Sequence, residues 1–309
     1  MRIASIDIGT NTFRILVCEL KDNDLEKVHI SRVITRLGGG FSKEKRLISP
    51  DAMERAISAL KNFTDILRQY RVEKVRAVAT SVVREALNGH DFLERVKRET
   101  GISAELISGE EEAKLTVQGV LRSIPKVSEY NLIFDVGGGS TEYVYVKDGQ
   151  VLGLASTNLG VVHLAEFFLR QDIPSKSELN LLSKHIEDTL LSQLSWAFEY
   201  SESGLSLIGT AGTPTTLAAI DMRMESYDPD LVNGYVLKRD AVLRIFGSLI
   251  KIPKGKRHEV AGLEKGREDV IIPGTLIVLK TMEIFSKDRI MVSDGGLLQG
   301  VAFSIAGRP

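Results

Sequence analysis

Ile6-Asp7-Ile8-Gly9-Thr10-Asn11-Thr12-Phe13-Arg14 and Phe134-Asp135-Val136-Gly137-Gly138-Gly139-Ser140-Thr141-Glu142 repeat one plan at an offset of 128 residues (135 − 7). Each is an apolar strand ending in Asp-x-Gly, then small or hydroxylated residues, then a second apolar strand. A third apolar strand follows each pair. One D-x-G turn would be an ordinary hairpin, but two in matching strand contexts read as a duplicated unit. Glycine permits positive φ and close backbone approach, so successive N–H groups can aim at one anion. The candidate phosphate ligands are Gly9, Thr10, Asn11, Thr12 and Arg14 in the first turn, and Gly137, Gly138, Gly139, Ser140 and Thr141 in the second. Hydroxyls in both turns add donors. The leading aspartates suit a hard cation such as Mg²⁺, which takes one or two carboxylates beside water and phosphate oxygens.

The surrounding pattern is α/β. Strands are expected at Arg2–Ile6, Phe13–Leu20 and Lys27–Ile34, with Lys21–Asp24 as a hairpin turn. A helix starts at Ser49-Pro50, an N-cap followed by proline at the first helical position, and keeps a helical apolar period from Met53 to Leu67. A strand at Val75–Ala79, helices at Val82–Leu87 and Asp91–Glu99, a strand at Ala104–Ile107 and a helix at Glu110–Leu121 follow. Ser123–Ser128, with Pro125 inside it, is the expected linker and hinge. The pattern then restarts: strands at Asn131–Phe134, Thr141–Val146 and Val151–Ser156, then helices at Val161–Arg170 and Lys176–Glu199. A strand at Leu205–Ile208 enters Gly209-Thr210-Ala211-Gly212-Thr213, which opens a helix. Helix N-termini bind anions through unpaired N–H groups, so Gly209, Thr210, Ala211, Gly212 and Thr213 form a third candidate phosphate loop. Helices at Arg239–Lys251 and Asp269–Phe285, a strand at Ile290–Val292 and a last helix after Gly296 complete the expectation.

Composition limits the function classes. The 309 residues suit two domains. Forty Lys plus Arg against 41 Asp plus Glu, net charge −1, argues against general charge-driven binding to nucleic acid or membrane. No apolar run reaches membrane-spanning length, and Asp7 interrupts the first apolar stretch too early for a signal peptide. The lone cysteine, Cys18, lies in an apolar run and reads as a core residue in a reducing compartment; the expected location is cytoplasmic. Histidines 29, 90, 163, 185 and 258 show no metal-ligand spacing. Lys254, Lys256, Arg257 and Arg267 form a basic segment, read as a solvated run that could guide a polyanion.

Taken together, D-I-G-T-N-T-F-R (7–14), T-R-L-G (35–38), A-T-S-V-V-R-E-A (79–86), S-G-E-E-E-A (108–113), D-V-G-G-G-S-T-E (135–142), G-T-A-G-T (209–213), Pro273-Gly274 and S-D-G-G-L-L-Q-G (293–300) resemble the exopolyphosphatase and guanosine pentaphosphate phosphohydrolase family. That family lies in the actin, sugar-kinase and heat-shock-chaperone superfamily. The resemblance covers essentially the whole chain and is to the short, two-domain form. It implies two actin-like, ribonuclease-H-like domains, each a mixed sheet flanked by helices, with an interdomain cleft. The expected domains are 1–125 and 126–309, with the option that the last helix packs back on the first. Many relatives carry an acidic residue after T-R-L-G, where this chain has Gly39.

The resemblance assigns roles. Spacing alone leaves Glu111 and Glu112 open as the base that activates water, since consecutive helical positions lie 100° apart; the resemblance selects Glu112. Glu110 suits the positive end of its helix. Asp135 and Glu142 are the expected metal ligands, with Asp7 the weaker candidate. Arg14 and Arg84 are expected to supply positive charge to phosphate oxygens. The implied activity is hydrolysis of phosphoanhydrides in inorganic polyphosphate or guanosine pentaphosphate with a divalent ion such as Mg²⁺. A superfamily kinase and a non-catalytic polyphosphate or nucleotide sensor are the alternatives, and a homodimer is left open.

Overall fold

A computed structural model describes residues 1–21, 24–41, 46–124, 128–199 and 204–307. The chain divides into two compact units: Met1–Gly119 with the stretch from Gly296 on, and Val120–Gly295. The division falls inside a helix, a few residues before the expected linker. Pro125–Val127 of that linker, like the tip of the expected 21–24 turn, lie outside the described residues.

In the first unit the order is β1 (Arg2–Ile8), β2 (Thr12–Lys21), β3 (Asp24–Ile34), α1 (Pro50–Gln69), β4 (Lys74–Ala79), α2 (Ser81–Glu85), α3 (Gly89–Thr100), β5 (Ala104–Leu106) and α4 (Gly109–Ser123). Its sheet runs β3-β2-β1-β4-β5, with β1 antiparallel to β2 and parallel to β4. Alternation along β2 sorts the two faces. Phe13, Ile15 and Val17 join Ala56, Leu60 and Phe63 of α1 in one core. That helix starts where expected, the Ser49 hydroxyl accepting from the Ala52 amide.

The second unit continues with β6 (Tyr130–Val136), β7 (Thr141–Lys147), β8 (Gln150–Thr157), α5 (Val161–Phe168), α6 (Lys176–Gln193), α7 (Ser195–Phe198), β9 (Ser206–Thr210), α8 (Gly212–Asp221), α9 (Pro229–Val232), β10 (Val236–Lys238), α10 (Arg239–Leu249), a 3₁₀ turn at Lys254–Glu259, α11 (Ile271–Ile284) and β11 (Arg289–Val292). Its sheet runs β8-β7-β6-β9-β11-β10, the first order repeated with a strand added at one edge. These two mixed sheets flanked by helices are the actin-like pattern that the motifs imply. The repeat extends to the bulges: β2–β3 shifts register between Val17 and Cys18, and β7–β8 between Tyr145 and Val146, again 128 residues on.

The last helix, α12 (Leu297–Ile305), packs in the first unit. It covers the sheet face opposite α1, where Ile3, Leu16 and Cys18 meet Leu298 and Ala302, and the Ser5 hydroxyl donates to the Leu298 carbonyl at 2.7 Å. Burial there pushes the Cys18 thiol up to about 11. Gly300 is required at this contact, since a Cβ would strike the Leu115 backbone of α4. Among the described residues no helix is long and apolar enough to cross a membrane.

Candidate active site

In the first unit, Asp7 near the end of β1 stands directly opposite Arg14 on β2. Arg14 donates from Nε and Nη2 to Asp7 Oδ2 at 2.9 and 2.7 Å, while the other carboxylate oxygen is buried without a hydrogen-bond partner. Arg14, expected to face phosphate, thus also neutralises the 3%-exposed Asp7. Between them lies the turn. A Cβ on Gly9 would come within 2.8 Å of the Thr12 carbonyl, which is why glycine stands there. Thr10 and Asn11 are buried, and the Thr10 hydroxyl and both carbonyls are engaged within the unit. The Thr10 hydroxyl accepts from the Val82 amide at 3.3 Å, and its carbonyl accepts from Gly38 at 2.9 Å. The Asn11 carbonyl accepts from the Thr35 and Arg36 amides at 3.0 and 2.9 Å. A Cβ on Gly38 would collide with the Thr10 methyl. The T-R-L-G segment, to which sequence reasoning attached no role, therefore braces this turn from behind.

Three adjacent glutamates open α4, and their surroundings differ. Glu110 pairs with Lys114 at 2.7 Å and is exposed, and Glu111 pairs with Arg76 at 2.7 Å and is half-exposed. Glu112 is 9% exposed and takes Nη1 of Arg84 at 3.3 Å. The same nitrogen donates to the Ile107 carbonyl at 2.8 Å, so Arg84 is anchored to backbone and holds one oxygen of Glu112 in place. One helical turn on, Leu115 packs with Val78 and Ile107, fixing the face that α4 presents.

In the second unit, Asp135 of β6 stands directly opposite Glu142 of β7, as Asp7 does opposite Arg14. Glu142 is 2% exposed and accepts from the Ser156 hydroxyl at 2.7 Å. The Gly137 amide closes the turn on the Ser140 carbonyl at 3.0 Å, and a Cβ on Gly137 would meet that carbonyl at 2.8 Å, the contact Gly9 makes in the first turn. The carbonyls of Gly137 and Gly138 accept from the first amides of α5, Val161 and Val162. The Thr141 hydroxyl donates to the Leu159 carbonyl at 2.6 Å and is fully buried, so it secures the turn, as Thr10 does in the first.

The Gly209–Thr213 loop sits beside that hairpin, with Thr210 in register with Asp135. The Thr210 hydroxyl donates to the Gly295 carbonyl at 2.8 Å. Ala211 has φ 67° and ψ −164°, a region that only glycine enters without strain. Gly212 begins α8, and a Cβ there would collide with the Arg267 guanidinium. Gly274 makes room for Thr213, which accounts for the Pro273-Gly274 motif. The basic segment, expected as a solvated run, divides. Arg267 lies over the start of α8, with Nε donating to Glu264 at 2.9 Å. Arg257 is 2% exposed and donates to the carbonyls of Ile252, Glu268 and Asp172. Burial holds its pKa below the ordinary arginine value. It ties three loops together, which residue type alone could not reveal.

A divalent ion fits the second hairpin better than the first. Two carboxylates in directly opposed positions repel, and a cation between them removes that cost. Mg²⁺ needs only one or two carboxylates when phosphate and water complete its shell.

The Ppx/GppA phosphatase family model matches residues 16–308. The chain belongs to that family. It is 34% identical over 312 residues to the bifunctional 3-dehydroquinate synthase/phosphatase of Fusobacterium nucleatum, covering 96% of this chain but 46% of that protein, so it spans about half of that relative's length. It is 31% identical to exopolyphosphatase 2 of Mycobacterium tuberculosis over 99% of both chains. Among solved structures, the Ppx/GppA family member of Aquifex aeolicus superposes with a TM-score of 0.82 at 36% identity, over 99% of this chain and 97% of that one.

Proposed function

We propose that this family member hydrolyses the terminal phosphoanhydride bond of inorganic polyphosphate or guanosine pentaphosphate, with Glu112 as general base. The observation that carries the assignment is the separation of the three glutamates: the Glu110 and Glu111 side chains stay 61% and 46% exposed in their ion pairs, while Glu112 is buried against an anchored arginine. An ionised carboxylate held in one orientation suits proton abstraction from water. In the proposed reaction the water oxygen forms a bond to the terminal phosphorus as its proton passes to Glu112. The bridging P–O bond breaks, and its electron pair leaves with the shortened chain. In the first unit backbone amides of the Gly9–Thr12 turn offer donors to phosphate oxygens and Arg14 adds charge; in the second, amides of Gly138–Ser140 and of the α8 N-terminus offer donors. Arg84 acts through Glu112 by fixing its carboxylate. Asp135 and Glu142 would hold a divalent ion, which supplies Lewis-acid neutralisation of phosphate charge. Magnesium as the ion and the cytoplasm as the compartment belong to this proposal. Phosphoryl transfer depends mainly on positioning and electrostatics, so this set is sufficient.

The test is orthophosphate release from polyphosphate and from guanosine pentaphosphate in Mg²⁺. Glu112→Gln is expected to lower kcat by roughly 10²–10⁴ while the folded protein still binds polyphosphate. Glu111→Gln is expected to retain most turnover. Wild-type turnover in Glu112→Gln would remove the assignment.

A further inference from the structure

S-G-E-E at 108–111 has the spacing of a capping box, in which a serine hydroxyl accepts from the third helical amide and the glutamate there returns a bond to the serine amide. The first half forms, the Ser108 hydroxyl accepting from the Glu111 amide at 3.1 Å. The Glu111 carboxylate instead leaves its own helix and accepts from Nη2 of Arg76 on β4 at 2.7 Å. Arg76 lies two residues before Val78, which packs with Leu297 and Val301, so it projects from the sheet face that α12 covers. Its Nε and Nη2 also donate to Glu105 of β5 at 3.2 and 3.1 Å, and Nη1 donates to the Ser304 hydroxyl of α12 at 2.8 Å. Contacts to three elements hold this planar fork in one place. The sheet itself does not demand a cation there. In the second unit Thr210 is in register with Asp135 as Val78 is with Asp7, and two residues before Thr210 stands the buried Ile208. A local capping rule has been given up for a tertiary contact, and such conflicts concentrate at functional sites.

We propose that Arg76 is a positioning residue for the general base, acting through Glu111. Helix ends fray, and the packing of Leu115 begins one turn further into α4. Successive helical residues lie 100° apart, so Glu111 held from β4 and Glu112 held from α2 grip the first turn on two sides. Two grips fix the rotation of that turn about its axis, which one alone does not. Without Arg76 the turn is free to rotate, and the Glu112 carboxylate loses its single orientation. The inference rests on Glu112 as base in the reading above.

Arg76→Ala, Arg76→Lys, Glu111→Ala and the combination of Arg76→Ala with Glu111→Ala are compared with wild type for kcat and KM of phosphate release from polyphosphate in Mg²⁺, with thermal melting as the folding control. A misplacement of about 1 Å can cost about a hundredfold, so a partial one is expected to lower kcat by about tenfold in Arg76→Ala and in Glu111→Ala. KM is expected to stay within about twofold of wild type, since the contact bears on the chemical step. The combined variant is expected to match the single ones, because each removes the same contact. Arg76→Lys is expected to recover part of kcat, as an ammonium reaches one acceptor but does not reproduce the fork. Wild-type kcat in folded Arg76→Ala overturns the inference, as does a multiplied loss in the combined variant or a change confined to KM. If Arg76→Ala melts below the assay temperature, Glu111→Ala, which leaves the Glu105 and Ser304 contacts in place, decides between the same outcomes. Failure of the reading beneath it is separately visible as no phosphate release by wild type or full turnover in Glu112→Gln, and either removes the inference as well.

Discussion

The hairpin at residues 7–14 and the hairpin at residues 135–142 share register, turn contact and bulge position, yet their rows carry opposite charge. The first reads Asp7, Arg14, Arg32, and the second Asp135, Glu142, Ser156. Backbone geometry dictated by the D-x-G turn is the same in both, because the glycine must clear a carbonyl three residues on. Only the residue facing the aspartate differs. With arginine there, the aspartate is neutralised within the protein. In the proposed function the first row then receives phosphate directly and the acidic row through a cation, so that one scaffold would hold a polyanion both by guanidinium and by bound metal.

The comparison breaks most visibly if the second hairpin is given the first one's charge. Glu142→Arg would pair with Asp135 as Arg14 does with Asp7, and metal-assisted charge neutralisation would be lost. Phosphate release is expected to fall by about a thousandfold or more, with no recovery in excess Mg²⁺. Retained kcat would show that the acidic row is not a metal site.

Arg14→Ala tests the first hairpin. Removing one partner of a buried pair leaves an uncompensated charge, which costs about 3–5 kcal/mol when both partners are buried. The Arg14 side chain is 26% exposed, so solvent screening lowers the expectation to about 2 kcal/mol. Arg14→Ala combined with Asp7→Ala is expected to be less destabilised than Arg14→Ala alone in urea unfolding. Equal or greater loss in the double variant would mean that the pair is not what stabilises this turn.

A smaller effect distinguishes the connections after the central parallel strands. After β4 the chain enters α2 through Thr80, at φ −121°, whereas after β9 it enters α8 through Ala211 at φ 67°. Ala211→Gly removes a side-chain clash at the cost of a more flexible unfolded chain, so a net gain of about 1 kcal/mol is expected. A loss of stability on urea unfolding would contradict the strain.

What the sequence revealed follows from how local each signal is. The D-x-G turns, their flanking period-two strands and the Ser49-Pro50 helix start depend on residues within a few positions of each other, and they were readable. Strand β10 is three residues long, too short for a period to register, and was missed. The packing of α12 beneath β1 joins Ser5 to Leu298, 293 residues apart, and stood in the sequence reading only as an option because no local pattern reaches that far. The basic segment misled because residue type was read as environment: Arg257 is buried among carbonyls, and Arg267 lies on a helix start. Glu111 and Glu112 could not be told apart by spacing. Their partners, Arg76 on β4 and Arg84 on α2, distinguish their surroundings only once those elements have folded against α4.

The claim that one hairpin holds metal and the other does not is tested most directly by the divalent-ion concentration needed for half-maximal phosphate release. It should be measured in parallel for wild type, Glu142→Gln and Asp7→Asn. Loss of a metal ligand is expected to raise that concentration by about tenfold or more in Glu142→Gln, while in Asp7→Asn it stays within about twofold of wild type whatever happens to kcat. A large rise in Asp7→Asn with an unchanged value in Glu142→Gln would place the ion at the first hairpin and contradict the account.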